Sequence, residues 1–373
     1  MKLQKINILI CGSKGFLAKN FISSITNIDN FNIYEFHKKS SKKKLKRFIK
    51  KSDLILHFAG ENRSNYNFDF KKNNVFFTAQ LFKLMKVYKR QIPIIYPSTI
   101  KFNDNTVYGK TKKMAEKIIK KNCKLNKINY SIIRFPNLFG KWAKPNYNSV
   151  VATFSYNLNR NFKCQINNNK YIKLLYIDDA INIIKRELKL CIYKKNYKKI
   201  LYVKNFYKIR LTELHKIIKN LHTMLSNNQV PNLKKKINKQ LWSTILSYFP
   251  NPNYTQQIHK FEDKRGYFLE FLKSEYGGQI SFLTLNPGES RGFHYHNTKF
   301  EKFLVISGSL DFISYDFFEK KIKKVNINDQ NLKYVFSIPG YVHIIKNKSK
   351  KICKVLIWAN EIFDKDNPDT IRV

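Results

Sequence analysis

Two sets of residues in this chain of 373 have the types and spacing for chemistry. The first is His294 and His296, one residue apart, with Glu301 soon after. Positions two apart on a β-strand project to one face, so both imidazoles can meet one ion. Glu301 comes back after a short turn, ahead of the apolar strand Phe303 to Ile306, and can face the same ion. The second set is Pro97-Ser98-Thr99 with Tyr108-Gly109-Lys110-Thr111-Lys112. Tyr108 and Lys112 are four apart and share one face of a helix. An ammonium there lowers the phenol pKa from about 10 and stabilises the tyrosinate. Tyr108 can then exchange a proton with an alcohol or ketone, while Ser98 or Thr99 hydrogen-bonds the substrate oxygen.

Tyr-x-x-x-Lys arises by chance in a chain this rich in both residues, so the elements around it decide its weight. Ile6 to Cys11 is a short apolar run suited to a buried parallel strand. Gly12-Ser13-Lys14-Gly15-Phe16-Leu17-Ala18 follows at once, and Phe16, Leu17, Phe21, Ile22 and Ile25 recur at helical spacing. Strand, glycine turn and helix are the context that a dinucleotide fingerprint requires. Gly12 permits the tight turn, Gly15 lets a pyrophosphate approach backbone amides at a helix N-terminus, and the first helical residues Phe16 and Leu17 line the same cradle. The next strand, Phe31 to Phe36, runs into His37-Lys38-Lys39. An acid commonly stands there to hold the ribose hydroxyls of NAD; cations favour the extra phosphate of NADPH. Asp53 to Phe58 is another strand, and it ends in Ala59-Gly60, where the backbone can pass close to the cofactor. His57 lies inside that apolar run and reads as a core histidine.

The composition carries 71 Lys+Arg against 25 Asp+Glu, a formal net charge of +46. A nucleic acid or an anionic membrane is the ordinary implication of such a charge. Here the excess is mostly lysine spread along the whole chain with abundant Asn, Ile, Phe and Tyr, as codon bias in an AT-rich genome would produce. The densest run, Ser40 to Lys51, reads as one solvated helix face. The expectation is no nucleic acid and no membrane partner, with the charge helping to attract an anionic nucleotide. Cys11, Cys123, Cys164, Cys191 and Cys353 are odd in number and scattered, which suits reduced thiols in a cytoplasmic protein. No apolar run approaches the roughly 18–20 residues of a membrane span. The N-terminus runs directly into the glycine loop and reads as a first strand, not a signal peptide.

Residues 1 to about 245 resemble an extended short-chain dehydrogenase/reductase, from the glycine loop through Ala59-Gly60, Ser98, Tyr108 and Lys112. Arg134 to Gly140, with Pro136 and Asn137, is similar to the strand and loop that cover the nicotinamide and open the substrate pocket. The stretch Gly288 to Gly308, with His294, His296 and Glu301 at their spacings, resembles the first metal-binding motif of the cupin barrels. Ile338 to His343 resembles the second, with Asn347 downstream, and makes His343 the fourth ligand. Ala59 to Arg63, Lys141 to Ser149 and Trp358 to Asp364 are similar to capsular-polysaccharide enzymes that make UDP-2-acetamido-2,6-dideoxy-β-L-talose by joining such a reductase to a C-terminal cupin. Two departures stand out: Ala18 replaces the usual third glycine, and Ile338 stands where cupins carry the first proline of Pro-x-Gly.

The resemblance implies an α/β Rossmann-like, doubly wound reductase domain over 1–248 and an all-β cupin jelly-roll barrel over 252–373, as a homodimer. It also implies a UDP-linked 4-keto-6-deoxy-N-acetylhexosamine substrate in surface polysaccharide biosynthesis, held by Arg63, Asn137, Lys141, Trp142, Asn146 and Asn148. Two reactions follow: inversion at C3 by the metal cupin, and NADPH-dependent reduction of the C4 ketone with Tyr108 as acid. Three histidines and a carboxylate suit zinc first, and also iron, manganese or nickel. Lys302 and Tyr334 are candidates for proton transfer. Tyr176-Ile177-Asp178-Asp179-Ala180 reads as an Asp N-cap, and Leu211 to Leu225 as a helix. Pro250-Asn251-Pro252-Asn253 punctuates the chain and puts the domain boundary near 246–252. Two other readings are open. A 4-epimerase or 4,6-dehydratase would keep the fold, but a dehydratase needs a carboxylate pair after the active-site threonine, and Thr99 is followed by Ile100 and Lys101. A non-catalytic RNA-binding protein would leave both constellations without a purpose.

Overall fold

The structure, a computed structural model, describes residues 5–26, 30–166, 168–250, 255–319 and 321–373. In the first half, apolar runs alternate with amphipathic helices. The elements are β1 (Ile6–Cys11), α1 (Phe16–Ser23), β2 (Phe31–Phe36), α2 (Lys42–Lys51), β3 (Leu54–His57) and α3 (Asn67–Phe70). A π-helical stretch, Lys71–Phe76, leads into α4 (Phe77–Val87), β4 (Ile94–Thr99), α5 (Val107–Leu125) and β5 (Tyr130–Phe135). Then come β6 (Asn137–Phe139), α6 (Val150–Leu158), β7 (Tyr171–Tyr176), α7 (Ile177–Tyr193), β8 (Lys198–Tyr202), β9 (Tyr207–Arg210) and α8 (Leu211–Ser226).

Six strands form one sheet in the order β2-β1-β3-β4-β5-β8, parallel throughout. Its central strands are buried on both faces, as a parallel sheet between helix layers must be. One apolar layer gathers Ile8, Ile10, Leu54, Leu56 and Ile133 with α1 and α7. The other gathers Leu9, Ile55, Ile94 and Ile132 with α2, α4 and α5. This is the expected doubly wound α/β architecture. Because β2 lies on one side of β1 and β3 on the other, the order reverses at β1, and such sheets bind ligands in the crevice beyond the carboxyl ends there. The lysine run becomes α2: Ser41 caps it by accepting from the Lys44 amide at 3.2 Å, and Leu45, Phe48 and Ile49 turn inward while the lysines face water. At α7 the expected Asp N-cap is corrected. Tyr176 is the N-cap residue, without a side-chain cap, and Asp178 and Asp179 sit inside the first turn. There they complement the helix dipole instead.

The second half begins with β10 (Gln229–Val230) and α9 (Lys236–Leu246) and continues through β11 (Lys260–Asp263), β12 (Gly266–Ser274), β13 (Gly278–Leu285) and β14 (Ser290–Tyr295). It ends with β15 (Glu301–Ser307), β16 (Ser309–Asp316), β17 (Ile322–Asn328), β18 (Tyr334–Phe336), β19 (Tyr341–Lys346), β20 (Cys353–Ala359) and β21 (Ile371–Arg372). One sheet runs β10-β12-β13-β20-β15-β18, with β11 on β12, and the other runs β17-β16-β19-β14-β21. Leu283, Phe303, Val305 and Val355 of the first sheet share a core with Leu310, Phe312, Ile327 and Ile345 of the second. Inner faces of two sheets burying one core is a jelly-roll arrangement.

Where the sequence suggests one boundary at 246–252, the chain divides into residues 1–218 with 240–250, and 219–239 with 251–373. Segment 219–239 joins the second unit because Gln229 and Val230 pair in parallel with Lys273 and Ser274. The punctuating Asn251-Pro252-Asn253 lies outside the described residues.

Candidate functional site

The glycine turn after β1 sits at the switch of strand order. Gly12 has φ +85°, and a Cβ there would meet the Ala59 backbone at 2.7 Å, so only glycine lets β1 and β3 converge. The amides of Gly12 and Ser13 donate to the Phe36 carbonyl at 2.8 and 3.1 Å, which brings the end of β2 against the loop. Gly15 is the N-cap residue of α1 and offers no side-chain cap, leaving the amides of Phe16, Leu17 and Ala18 available to an anion. The Ser13 hydroxyl is buried there with no partner. These features fit a dinucleotide pyrophosphate. Beyond β2, His37 is half-buried and Lys38 and Lys39 are exposed. At the end of β3, Asn74 of the π-helical stretch accepts from the Glu61 amide at 2.8 Å and donates to its carbonyl at 3.0 Å, holding the Ala59-Gly60-Glu61 turn. His57 is buried, with Nε2 2.8 Å from the Thr78 hydroxyl, as a core histidine.

The second cluster lies where β4 ends against α5. Thr106 caps α5 through the Gly109 amide at 3.1 Å, and Tyr108 and Lys112 follow on the same helix face. Burial pushes the Tyr108 phenol up to about 12, with a hydrogen bond to Thr99 opposing the shift. Lys112 is buried and donates to the Pro97 carbonyl at 2.7 Å, with Nζ 3.9 Å from the Tyr96 ring. Burial pulls its ammonium down to about 7, against the pull of Glu116. The expected ammonium-lowered phenol is therefore corrected: desolvation dominates, and Tyr108 holds its proton at neutral pH, the state a proton donor needs. Ser98 donates to Glu116 of the same helix at 2.6 Å, while hydrogen bonding with Thr99 is what opposes the shift of Tyr108. Glu116 is buried and paired with Arg134, whose Nε donates to it at 3.0 Å. Glu116 continues the four-residue spacing from Tyr108 and Lys112, a signal that could have found it in the sequence.

The residues expected to hold substrate are only partly gathered. Arg63 donates to the Tyr147 carbonyl, and the Tyr147 hydroxyl donates to Glu61 at 2.6 Å, joining two loops. Lys141 pairs with Asp178 at 3.3 Å and stands 5.4 Å from the Trp142 ring. Pro136 is buried where β5 ends, and Asn137, Asn146 and Asn148 are exposed.

In the barrel, His294, His296, Glu301 and His343 each offer one ligand atom, all within 4.8 Å of one another. His294 on β14 pairs directly with His343 on the adjacent β19. Glu301 opens β15 in the facing sheet, so the cluster spans both sheets. A bulge lies between Gly292 and His294. Gly292 has φ +115°, and a Cβ on it would lie 2.4 Å from the His343 carbonyl oxygen. His296 Nε2 and His343 Nε2 lie 3.3 and 3.4 Å from Glu301 Oε2. His296 Nδ1 faces the Asp369 carbonyl, which can only accept. Its Nε2 is then a lone-pair donor facing a carboxylate, an arrangement that fits a cation between them. Burial, then His343 and His296, push His294 down to about 4, the neutral form that metal binding requires. Burial raises the Glu301 carboxyl, but His296 and His343 more than offset this and hold it well below the usual range. Lys302 and Tyr334 are corrected. Phe303 and Val305 of β15 point into the core, so Lys302 points outward, its Nζ 5.1 Å from the Tyr334 ring and 5.3 Å from Trp358. The role of Asp369, in the C-terminal tail far along the chain from His296, has no signal in the sequence.

Residues 8–191 match the NAD dependent epimerase/dehydratase family, and residues 261–371 match the polysaccharide biosynthesis C-terminal domain. The chain is 33% identical over 366 residues to a UDP-2-acetamido-2,6-beta-L-arabino-hexul-4-ose reductase from Pseudomonas aeruginosa, covering 98% of each. The crystal structure of the capsular polysaccharide assembling protein CapF from Staphylococcus aureus superposes with a TM-score of 0.89 at 32% identity, covering 99% of this chain and 100% of that one. A UDP-N-acetylglucosamine 4-epimerase from Methanobrevibacter ruminantium covers 66% of this chain and 99% of its own, with a TM-score of 0.54 at 16% identity, a likeness of fold alone. Among the described residues no helix is long and apolar enough to cross a membrane.

Proposed function

The chain belongs to the family of that reductase and of CapF, sugar-nucleotide enzymes of polysaccharide biosynthesis that join an extended short-chain reductase to a cupin barrel, and from that premise we propose that it performs two steps on one UDP-linked 4-keto-6-deoxy-N-acetylhexosamine. One observation carries the reading: a single chain holds both a Tyr108–Lys112 helix face against the end of β4, in the same unit as a glycine cradle, and a four-donor cluster in a separate barrel.

We assign reduction of the C4 ketone to the first unit. NADPH, when bound, would supply the hydride. Gly12, Gly15, Phe16 and Leu17 would hold its pyrophosphate, Ala59, Gly60 and Pro136 would bound its path, and His37 and Lys38 would receive the extra phosphate. Thr99 orients the ketone oxygen, and Tyr108 delivers its phenolic proton to that oxygen as it becomes an alcohol. Lys112, anchored on the Pro97 carbonyl, stands one turn from Tyr108 on α5 and, when protonated, steadies the tyrosinate left behind. Arg63, Asn137, Lys141, Trp142, Asn146 and Asn148 are the residues assigned to the sugar nucleotide.

We assign inversion at C3 to the barrel. A C–H beside a ketone becomes acidic only when the developing enolate is stabilised, and His294, His296, Glu301 and His343 would hold a divalent metal that would supply that charge. His294 is pushed toward its neutral form and the Glu301 carboxyl toward its ionised one, the forms in which each binds a metal.

The test is deuterium exchange in heavy water with the 4-keto sugar nucleotide. Glu301→Ala should lose metal and stop exchange at C3 while NADPH still binds. Tyr108→Phe should retain exchange and lose reduction by at least about 100-fold, so that deuterium accumulates in unreduced substrate. Exchange that survives in folded, metal-free Glu301→Ala but stops in Tyr108→Phe would move the inversion to the reductase unit.

A further inference from the structure

The turn between His296 and Glu301 is held by a residue from the far end of the chain. Asp369 Oδ1 accepts from the Asn297 amide at 2.9 Å, and Oδ2 accepts from the amides of Thr298 and Lys299 at 2.7 and 2.8 Å and from the Thr298 hydroxyl at 3.1 Å. Its carbonyl receives the His296 Nδ1 proton. One residue therefore grips both the ring of a donor and three successive amides of the segment leading to the next donor. Around it, Lys299 Nζ reaches the Thr370 hydroxyl at 3.3 Å, and Ile371 and Arg372 pair with Tyr295 and His294 across β21 and β14. The tail is thus hydrogen-bonded in place immediately after Asp369.

This grip has a chemical consequence. A neutral imidazole presents a lone pair from one nitrogen only, and which one is decided by the hydrogen bond the other makes. With Nδ1 committed to the Asp369 carbonyl, His296 presents Nε2 toward Glu301, His294 and His343. The His343 ring, by contrast, has a buried Nδ1 without a partner and is positioned by stacking on Phe312 at 6.1 Å.

We propose that Asp369 is a positioning residue for the barrel's cation site, acting through His296: the C-terminal tail selects the tautomer of that ligand and fixes the turn that carries Glu301 into the site. The inference rests on the reading of the four-donor cluster as a metal centre. It predicts that metal affinity depends on a residue that does not itself face the ion.

The test is competition for zinc between the full-length protein and a chromophoric chelator, run on wild type, Asp369→Ala, His296→Ala and the double variant. Asp369→Ala is expected to weaken zinc binding by about 10–100-fold, the usual effect of removing a partner that orients a ligand. In the His296→Ala background the same change should cost less than in wild type, because one of the two donors that the turn joins is gone. Equal affinity of Asp369→Ala and wild type, or losses that simply add in the double variant, would overturn the proposal. Absence of stoichiometric zinc binding by the wild type would instead overturn the metal reading beneath it. Thermal unfolding in excess chelator separates a plain loss of fold: the proposal requires Asp369→Ala to remain folded without metal. Should that variant unfold, Asp369→Asn, which keeps one side-chain acceptor oxygen where alanine keeps none, is expected to fold and to bind zinc with intermediate affinity, and wild-type affinity in it would count against the assignment.

Discussion

Ser98 and Thr99 are adjacent hydroxyls with opposite duties. Thr99 hydrogen-bonds Tyr108, whereas Ser98 is spent on the buried Glu116–Arg134 pair. Thr99→Ala should therefore lower kcat for reduction by about 10–100-fold with little change in melting temperature, since it removes a hydroxyl that orients the reacting oxygen. Ser98→Ala should act in the other direction, costing about 1–3 kcal/mol of stability through an under-satisfied buried carboxylate while leaving kcat of the folded fraction within a few-fold. Steady-state kinetics and thermal melts on the two variants distinguish them, and a kcat loss confined to Ser98→Ala would reverse the assignment. Burial, which a sequence does not display, pushes the Tyr108 phenol up and leaves it protonated well above neutral pH.

At the scale of elements, β3 carries a group that couples the fold to pH. His57 is buried against Tyr96 and Phe77, and burial, with Lys112 second, pushes it from 6.5 down to about 3. The unfolded chain takes up this proton first as pH falls, so the native state loses stability below pH 6.5 and goes on losing it until about 3; above 6.5 the group contributes no slope. His57→Phe should flatten that part of the acid-stability profile relative to wild type, because Thr78 keeps a partner in the Asn74 carbonyl at 2.7 Å. Melting temperatures measured from neutral pH downward check this, and identical slopes in the two proteins would contradict it. The π-helical stretch is the other element with a visible task. Its extra residue per turn accompanies a buried Asn74 that holds the Glu61 backbone through both donor and acceptor.

For the molecule as a whole, the net charge of +46 acts at long range. Its lysines are dispersed, and in α2 they face solvent while the apolar residues turn inward. Such a field attracts an anionic sugar nucleotide without specifying it. Raising salt from about 20 mM to about 500 mM should lower kcat/KM by on the order of ten-fold through screening, with kcat nearly unchanged, because Lys112 is buried and Tyr108 half-buried, away from bulk ions. A kcat that falls in parallel would indicate that salt disturbs the site itself.

What the sequence determined by itself was local. Backbone geometry sets the period of a helix and of a strand, so Tyr108 and Lys112 on one helix face, the β1–glycine–α1 unit and the solvated lysine face of α2 could be read from spacing alone. Motif spacing also carried the four donors of the barrel, including His343 despite Ile338 in place of a proline. Tertiary structure decided everything that depends on which distant segments meet. It spent Ser98 on Glu116 of α5 and turned Lys302 outward through the alternation of β15 against its core. It also drew residues 219–239 into the second unit through β10, and brought Asp369 to His296 from 73 positions away. The physical reason is that pairing and burial between remote segments are set by the whole packed core, whose free energy no short stretch of chain encodes.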